Sequence, residues 1–253
     1  MYRLYTWIKG LGLVLNFLVL IGGIVWAEKK QTTRTCQAID ITIVDTVNQR
    51  FVEEQALLTR LTEDYTGPIL GTLVRKVVSR KIEDSINSHN FVRAGTIYKN
   101  WQGRLKIAVL PKKPIARILY PHKQSRYIDE EGELLPLSDQ HSARVLLIDG
   151  ENLRSLDKNL RDSPYGTALL KLLNFTDQDP FWHFQITHIS IDEKGKLILN
   201  TQISKQRVAF GRPENIEKKM EKLRLCYKVI LPSKGWNTYK RVNLEFDNQI
   251  VCE

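Results

Sequence analysis

The sequence predicts an α+β chain on three observations. An apolar run over residues 8–27 reads as an N-terminal transmembrane helix after a seven-residue leader, residues 1–7. A small module over residues 36–110 has the periodicities of strand, helix, helix, strand and strand. Residues 111–253 then alternate short strands with helices, the pattern of a β-rich mixed domain.

The apolar run extends from Ile8 to Ala27. At ~1.5 Å per helical residue it matches the ~30 Å hydrocarbon core of a bilayer. Leu11, Leu13, Val14, Leu15, Phe17, Leu18, Val19, Leu20, Ile21, Ile24 and Val25 supply the expected membrane anchor. Lys9 lies at the edge, where its stem can reach the headgroups, and Trp7 and Trp26 bracket the span as interfacial residues do. The alternative is a cleaved secretory signal. Trp26-Ala27-Glu28-Lys29-Lys30 puts bulk and charge where a signal peptidase requires small residues, so the uncleaved anchor is preferred. Basic residues flank both ends, Arg3 and Lys9 before and Lys29, Lys30 and Arg34 after, and charge alone leaves the orientation open.

In the first module Ile39, Ile41 and Ile43 alternate with Asp40 and Thr42, the period of a half-buried strand. A short helix is expected from Val52 to Leu61, with Glu53 and Glu54 favoured at the positive end of its dipole. After Gly67-Pro68 a second helix is expected, because Leu70, Leu73, Val74, Val77, Ile82 and Ile86 recur at three- and four-residue steps. Two strands follow, Phe91 to Tyr98 and the alternating Leu105, Ile107 and Val109, joined by the turn Asn100-Trp101-Gln102-Gly103. A three-stranded sheet with two helices on one face can bury both amphipathic surfaces.

Pro111-Lys112-Lys113-Pro114 marks the boundary. Beyond it, strands are expected at residues 116–119, 133–137, 143–147, 184–191, 196–202 and 207–211, with Glu193-Lys194-Gly195-Lys196 as a hairpin turn. Pro164 opens a helix burying Leu169, Leu170, Leu172 and Leu173, and Pro213 opens another with Ile216, Met220 and Leu223 inward and charges outward. The chain closes on an alternating stretch in which Val242, Leu244 and Phe246 oppose Arg241, Asn243 and Glu245.

The formal charge is +10, and the segment from Gly67 to Arg126 alone carries 13 Lys or Arg against two acids, so the rest of the chain is close to neutral. A basic segment beside a bilayer is read as a solvated face, or as one that meets anionic headgroups. RNP-type aromatics and finger motifs are missing, and no nucleic-acid partner is expected. Cys36, Cys226 and Cys252 have no short paired spacing and are read as buried or idle thiols, with a bridge from Cys252 to Cys36 or Cys226 as the alternative. His183 and His188, five apart on an expected strand, point to opposite faces and cannot share a metal. Asp129-Glu130-Glu131-Gly132-Glu133 is read as an acidic turn between strands. Asn174-Phe175-Thr176 matches a glycosylation sequon of little weight outside a eukaryotic secretory context, and Phe181 and Trp182 are expected in the core. With no G-x-S-x-G, phosphate-cradling loop or H-E-x-x-H, no catalytic, cofactor-binding or metal site is expected. Sheet edges then become the candidate functional feature, since an unpaired edge accepts a partner strand without catalytic residues, and the stretch Lys240 to Phe246 is the expected edge.

The order of parts, and the local runs Arg93-Ala94-Gly95-Thr96-Ile97-Tyr98, Gly103-Arg104-Leu105-Lys106-Ile107, Pro114-Ile115-Ala116-Arg117-Ile118, Tyr127-Ile128-Asp129-Glu130-Glu131-Gly132 and Pro136-Leu137-Ser138, resemble the FtsQ/DivIB family of bacterial cell-division proteins. The closing Val242-Asn243-Leu244 and Asn248-Gln249-Ile250-Val251-Cys252 look like the version found in Bacteroidetes. The resemblance implies a POTRA domain over residues 36–110 and an FtsQ-type β domain over residues 111–253, both periplasmic, with residues 1–7 cytoplasmic. It implies no catalytic activity and no cofactor. The implied role is a divisome scaffold in the inner membrane at the division septum, linking early division proteins to FtsB, FtsL and septal peptidoglycan synthesis. By the same resemblance Lys240, Arg241, Val242, Asn243, Leu244, Glu245 and Phe246 would receive a strand from FtsB. The chain ends one residue after Cys252, so contacts that a longer tail makes in relatives are not carried over. The readings from other classes are a membrane-tethered periplasmic enzyme of cell-wall processing, which needs a convergent polar cluster, and a POTRA-type chaperone, which usually carries several such modules.

Overall fold

The computed structural model describes residues 16–24, 34–44, 51–64, 69–100, 102–139, 141–151, 153–203, 206–247 and 249–253. Of the expected transmembrane run, residues 16–24 are described. They are helical (α1), and Phe17, Leu18, Val19, Leu20, Ile21 and Ile24 are exposed. Leu11, Leu13, Val14, Leu15 and Val25 lie outside the described residues. Among the described residues no helix is long and apolar enough to cross a membrane. The chain divides into two compact units, the first closing at Pro111 and the second holding Lys112–Glu253 together with Phe51.

In the first unit, β1 (Ala38–Ile43), α2 (Glu54–Asp64), α3 (Ser79–Asn87), β2 (Val92–Lys99) and β3 (Arg104–Pro111) follow in the expected order. The sheet order is β1-β3-β2, with β1 parallel and β2 antiparallel to β3. β3 is central because its alternation is the cleanest: Leu105, Ile107 and Val109 are buried, while Arg104 and Lys106 stay in water. Helix α3 turns Ile82 and Ile86 onto the sheet, with Leu57 and Leu61 of α2 alongside in the core. Gly95 permits the close approach, since a Cβ there would lie 2.5 Å from Cγ2 of Ile86.

The helix expected from Leu70 to Ile86 is a correction, because only its second half forms. Residues 69–74 are held by main-chain bonds to residues 34–36: Cys36 N–H donates to Thr72 O, Gly71 N–H to Cys36 O and Val74 N–H to Arg34 O. A β-bridge joins Thr35 to Leu73, and a short 3₁₀ turn, Val74–Lys76, leads to Val77, whose backbone is extended. Groups committed to residues outside the segment cannot also close i to i−4 bonds, so the 3.6-residue pattern of apolar side chains was overruled by a tertiary pairing. Leu70 consequently remains exposed.

The second unit is built on a nine-stranded sheet. Its strands are β4 (Pro114–Ile118), β5 (Arg126–Asp129), β6 (Leu134–Leu135), β7 (Leu146–Gly150), β8 (Ile186–Ile191), β9 (Leu197–Thr201), β10 (Arg207–Gly211), β11 (Arg241–Asn243) and β12 (Val251–Cys252), ordered β12-β11-β10-β9-β8-β7-β4-β5-β6. Three pairs are parallel and require crossovers: helices supply those of β7/β8 and β10/β11, and β5 and β6 lie in that of β4/β7. Between β7 and β8 run α4 (Pro164–Gln178) and α5 (Pro180–Gln185). Between β10 and β11 run α6 (Ile216–Leu225), a π-helical turn at Cys226–Ile230 and α7 (Leu231–Lys234).

These helices cover one face of the sheet. Leu169, Leu172 and Leu173 of α4, Trp182 of α5 and Met220 and Leu223 of α6 pack with Ile148, Ile189, Ile191, Leu199, Val208, Phe210 and Val242 from the strands. The helix starts follow sequence signals. Ser163 Oγ accepts from Gly166 N–H ahead of Pro164, and Asp179 accepts from the N–H groups of Phe181 and Trp182 ahead of Pro180.

Other differences from the expected elements are local. α5 ends in Gln185, so the strand expected from residue 184 begins at Ile186, and His183 is helical while His188 is on β8. Trp182 is fully buried, but Phe181 is 37% exposed. The second helix opens at Ile216 behind Asn215 in a left-handed conformation, rather than at Pro213. The sequon carries no accessible acceptor, for Asn174 Nδ2 donates to Glu130 O and Thr176 is buried in α4. β5 and β12 were not expected.

Gly150, at the end of β7, has φ +133°, and a Cβ there would stand 2.0 Å from the carbonyl oxygen of Ile191. Gly150→Ala must therefore push β7 away from β8 at their paired ends. We expect it to lower the stability of the second unit by ~2–4 kcal/mol, read as a lower urea midpoint at unchanged slope.

Candidate functional site

A sheet's outermost strand leaves main-chain N–H and C=O groups unmatched, and each end of the two sheets treats them differently. The outer side of β2 is occupied by side chains. Gly95 N–H donates to Asn87 Oδ1 at 2.7 Å and Ile97 N–H to Glu83 Oε1 at 3.2 Å, both acceptors projecting from α3. Lys99 Nζ adds a bond to Val77 O at 2.7 Å. A partner strand would have to displace these bonds. At one end of the nine-stranded sheet, β6 has two residues.

The other end is the C-terminal one, and it is supported from below. Val242 and Leu244 are fully buried in the core, which fixes the level of β11. Lys222 Nζ, from α6, donates to Leu244 O at 3.0 Å and Phe246 O at 2.7 Å. One turn earlier, Lys219 Nζ donates to Phe210 O at 2.9 Å and Arg212 O at 2.8 Å, beneath β10. Burial pulls the pKa of both ammonium groups down, as expected for cations with their stems laid against apolar side chains. Lys196 Nζ pairs with Glu245 Oε2 at 2.6 Å, and Asn243 Oδ1 accepts from Glu245 N–H.

The expected edge, Lys240 to Phe246, is thus largely internal. Only Arg241–Asn243 is strand, parallel to β10 on one side and antiparallel to β12 on the other. Leu244 N–H continues to Ala209 O, and Lys240 N–H donates to Glu253 O at 2.6 Å. Phe246 is 48% exposed beyond the strand. The open edge lies one strand further out. Arg241 and Glu253 exchange N–H to O bonds at 3.0 and 2.9 Å, so the neighbouring residue of β12, Cys252, turns its N–H and C=O away from β11. Sequence reasoning missed β12 because two residues are too few to show a period, and missed the lysines because a charged residue on an amphipathic helix reads as solvated.

The remaining polar features do other work. Asp129 is 1% exposed, and its Oδ1 accepts from Glu131 N–H and Glu133 N–H, closing the acidic turn between β5 and β6. His188 lies between Asp149, 3.0 Å from Nε2, and Asn200, 3.0 Å from Nδ1, on the sheet face away from the helices. Glu151, exposed beside Asp192 and Glu193, shares a hydrogen bond with Glu193 that raises its pKa. Among the described residues no three His, Cys, Asp or Glu side chains are grouped to hold a metal.

Burial, outweighing the two turn N–H groups, raises the pKa of Asp129 above its ordinary 3.8. Between those two values the folded state holds a proton the unfolded chain has released, so this group's contribution to stability falls as pH rises through that window. Asp129→Asn keeps an Oδ1 acceptor for the turn, and we expect it to remove that slope from a stability-against-pH profile. Asp129→Ala, which strands the two N–H groups, should cost ~1–3 kcal/mol at neutral pH.

Comparison with known proteins matches both units. Residues 34–110 match the POTRA-like domain family, and residues 113–253 match the family described as FtsQ/DivIB, C-terminal related. The chain is also similar to the cell division protein FtsQ of Salinibacter ruber, at 25% identity over 196 residues, covering 72% of this chain and 71% of the relative. With the C-terminal match spanning more than half of its residues, the chain belongs to the FtsQ/DivIB family of cell-division proteins.

Proposed function

We propose that the protein is a non-catalytic divisome scaffold, anchored by the apolar run 8–27 as a single inner-membrane span, with its N-terminus cytoplasmic and both units periplasmic at the division septum. It links early division proteins to FtsB- and FtsL-like partners, and through them to septal peptidoglycan synthesis. The partner strand adds at the C-terminal end of the large sheet, where Lys240, Arg241, Val242, Asn243, Leu244, Glu245 and Phe246 form the platform and β12 the accepting edge. The observation that supports this reading is the contrast between the edges. Side chains of α3 occupy the outer N–H groups of β2, whereas Cys252 directs its main-chain groups outward on β12, the neighbour of β11, whose Val242 is fixed in the core.

Val242 and Leu244 are core residues, so substituting them would disturb the whole end of the sheet and cannot isolate the edge. Cys252→Pro removes an outward N–H while leaving the Arg241–Glu253 bonds in place, and proline is tolerated at such an edge position. We expect Cys252→Pro to lose capture of the FtsB-like protein of the same cell, and Cys252→Ser to retain it. Equal capture by wild type and both variants would refute strand addition here. Depletion of the protein should give filaments or chains of undivided cells, and normal septation would refute the division role.

Anionic lipid contact by the basic segment is the second part of the reading. Arg75, Lys76, Arg80 and Lys81 are all exposed in the first unit. For a fragment of residues 34–253, reversing these four charges should weaken co-sedimentation with anionic vesicles, and binding of the unmodified fragment should fall with added salt. Salt-insensitive or absent binding would reject the contact.

A further inference from the structure

β12 is an exceptionally weak element by its hydrogen bonding alone. It has two strand residues and stands last in the sheet. Two residues of ladder do not by themselves hold a strand in place. Side-chain chemistry supplies what the ladder lacks. Cys252 is paired directly across from Val242 and so projects to the same face of the sheet. That face is the covered one, because Val242 is fully buried in the core and Cys252 packs against the same cluster. Cys226, the first residue of the π-helical turn after α6, is fully buried in that cluster and reaches the sheet from the helical side. Both are free thiols, and Cys252 lies near enough to Cys226 to act on its ionisation. Cys36, the third cysteine, is buried in the first unit with its Sγ directed to Ala38 O.

We propose that Cys226 and Cys252 are a disulfide-forming pair that pins the terminal strand β12 to the helix beneath the sheet. The oxidant is a disulfide, from a protein or a small molecule. The half-buried Cys252 is the entry point. Its thiolate attacks one sulfur of the external disulfide and expels a thiolate, leaving a mixed disulfide on Cys252. The thiolate of Cys226 then attacks the Cys252 sulfur and expels the second thiolate. Two protein thiols become one disulfide, the external disulfide becomes two thiols, and the two protons pass to the departing thiolates.

The order is set by environment. Burial first, and the neighbouring Cys252 second, push the Cys226 thiol up to about 12. Cys226 is therefore a poor first nucleophile and the slower, resolving one. The link closes the segment carrying α7 and β11, so it restrains the unfolded chain as well as the strand. Its bearing on partner capture rests on the function proposed above, as does the supply of disulfides outside the cytoplasm.

The test is oxidation of the purified full chain, held in detergent, by oxidised glutathione. Acid quenching, alkylation and peptide mass analysis then read the thiols. The expected product joins Cys226 to Cys252 and leaves Cys36 alkylated, and it should melt roughly 5–10 °C above the reduced form. Amide exchange at Glu253, whose N–H is bonded to Arg241 O, should slow at least tenfold, on the order of one tenfold step per 1.4 kcal/mol of local opening. Cys252→Ser, at a half-buried position on the outermost strand, should fold and show neither change.

A lasting glutathione adduct on Cys252, a link to Cys36, or two unreacted thiols would overturn the pair. A link that leaves melting and exchange unchanged would overturn the pinning. The same analysis on acid-quenched native cells separates the two readings. A chain that links in the purified state but carries three free thiols in the cell refutes the periplasmic location, not the pairing.

Discussion

The constraint on which this structure depends is that main-chain polar groups removed from water must be paired. In the interior of either sheet the ladder meets it. At the ends it must be met by something else, and the two ends described above differ in how they meet it. On β2 the pairing comes from Asn87 and Glu83, both reaching from α3, so fold and edge protection are one device. That device depends on Gly95, where any larger residue would hold α3 away from the strand.

The C-terminal end obeys the same constraint through cations. Lys219 and Lys222 spend their positive tips on four carbonyls of the segments above α6, and the aliphatic stems fill space that water would otherwise occupy. Lys219 also sits 4.7 Å over the ring of Phe210. A lysine suits this position because three donors on one flexible stem satisfy two carbonyls at once, which a planar guanidinium would do less readily. The helix therefore acts on the terminal strands in two ways, apolar through Met220 and Leu223 and polar through its lysines. β12 is held only where that support ends, and the meeting of Cys226 and Cys252 falls there.

This arrangement suits a connector. A protein that recruits by adding a strand needs one edge that is firm yet unfilled and others that are filled, since an indiscriminate edge would also pair with copies of itself. Membership in the FtsQ/DivIB family supports a role in cell division, and strand addition at this end of the sheet is the use we propose for it.

Composition and spacing determined the mixed α+β character, the strand-helix-helix-strand-strand order and the helix begun at Pro164, because those depend on periodicity and on caps that lie within a few residues of what they cap. The Asp179-Pro180 signal for α5 was equally present, and a run of aromatics masked it. Three things were not legible. Leu70 to Val77 follow a helical pattern, yet their backbone is committed to Arg34–Cys36, a pairing distant in sequence. Lys240 to Phe246 alternate as an edge strand does, yet alternation reports which face is buried and not how many neighbours a strand has. Cys226 and Cys252 carry no spacing that unites them, because a helix and a strand from opposite sides of the core bring them together. Local chemistry therefore determined the elements of this protein, while the tertiary structure decided which edge stayed open, since hydrogen-bond partners remote in sequence are chosen only when the sheet is assembled.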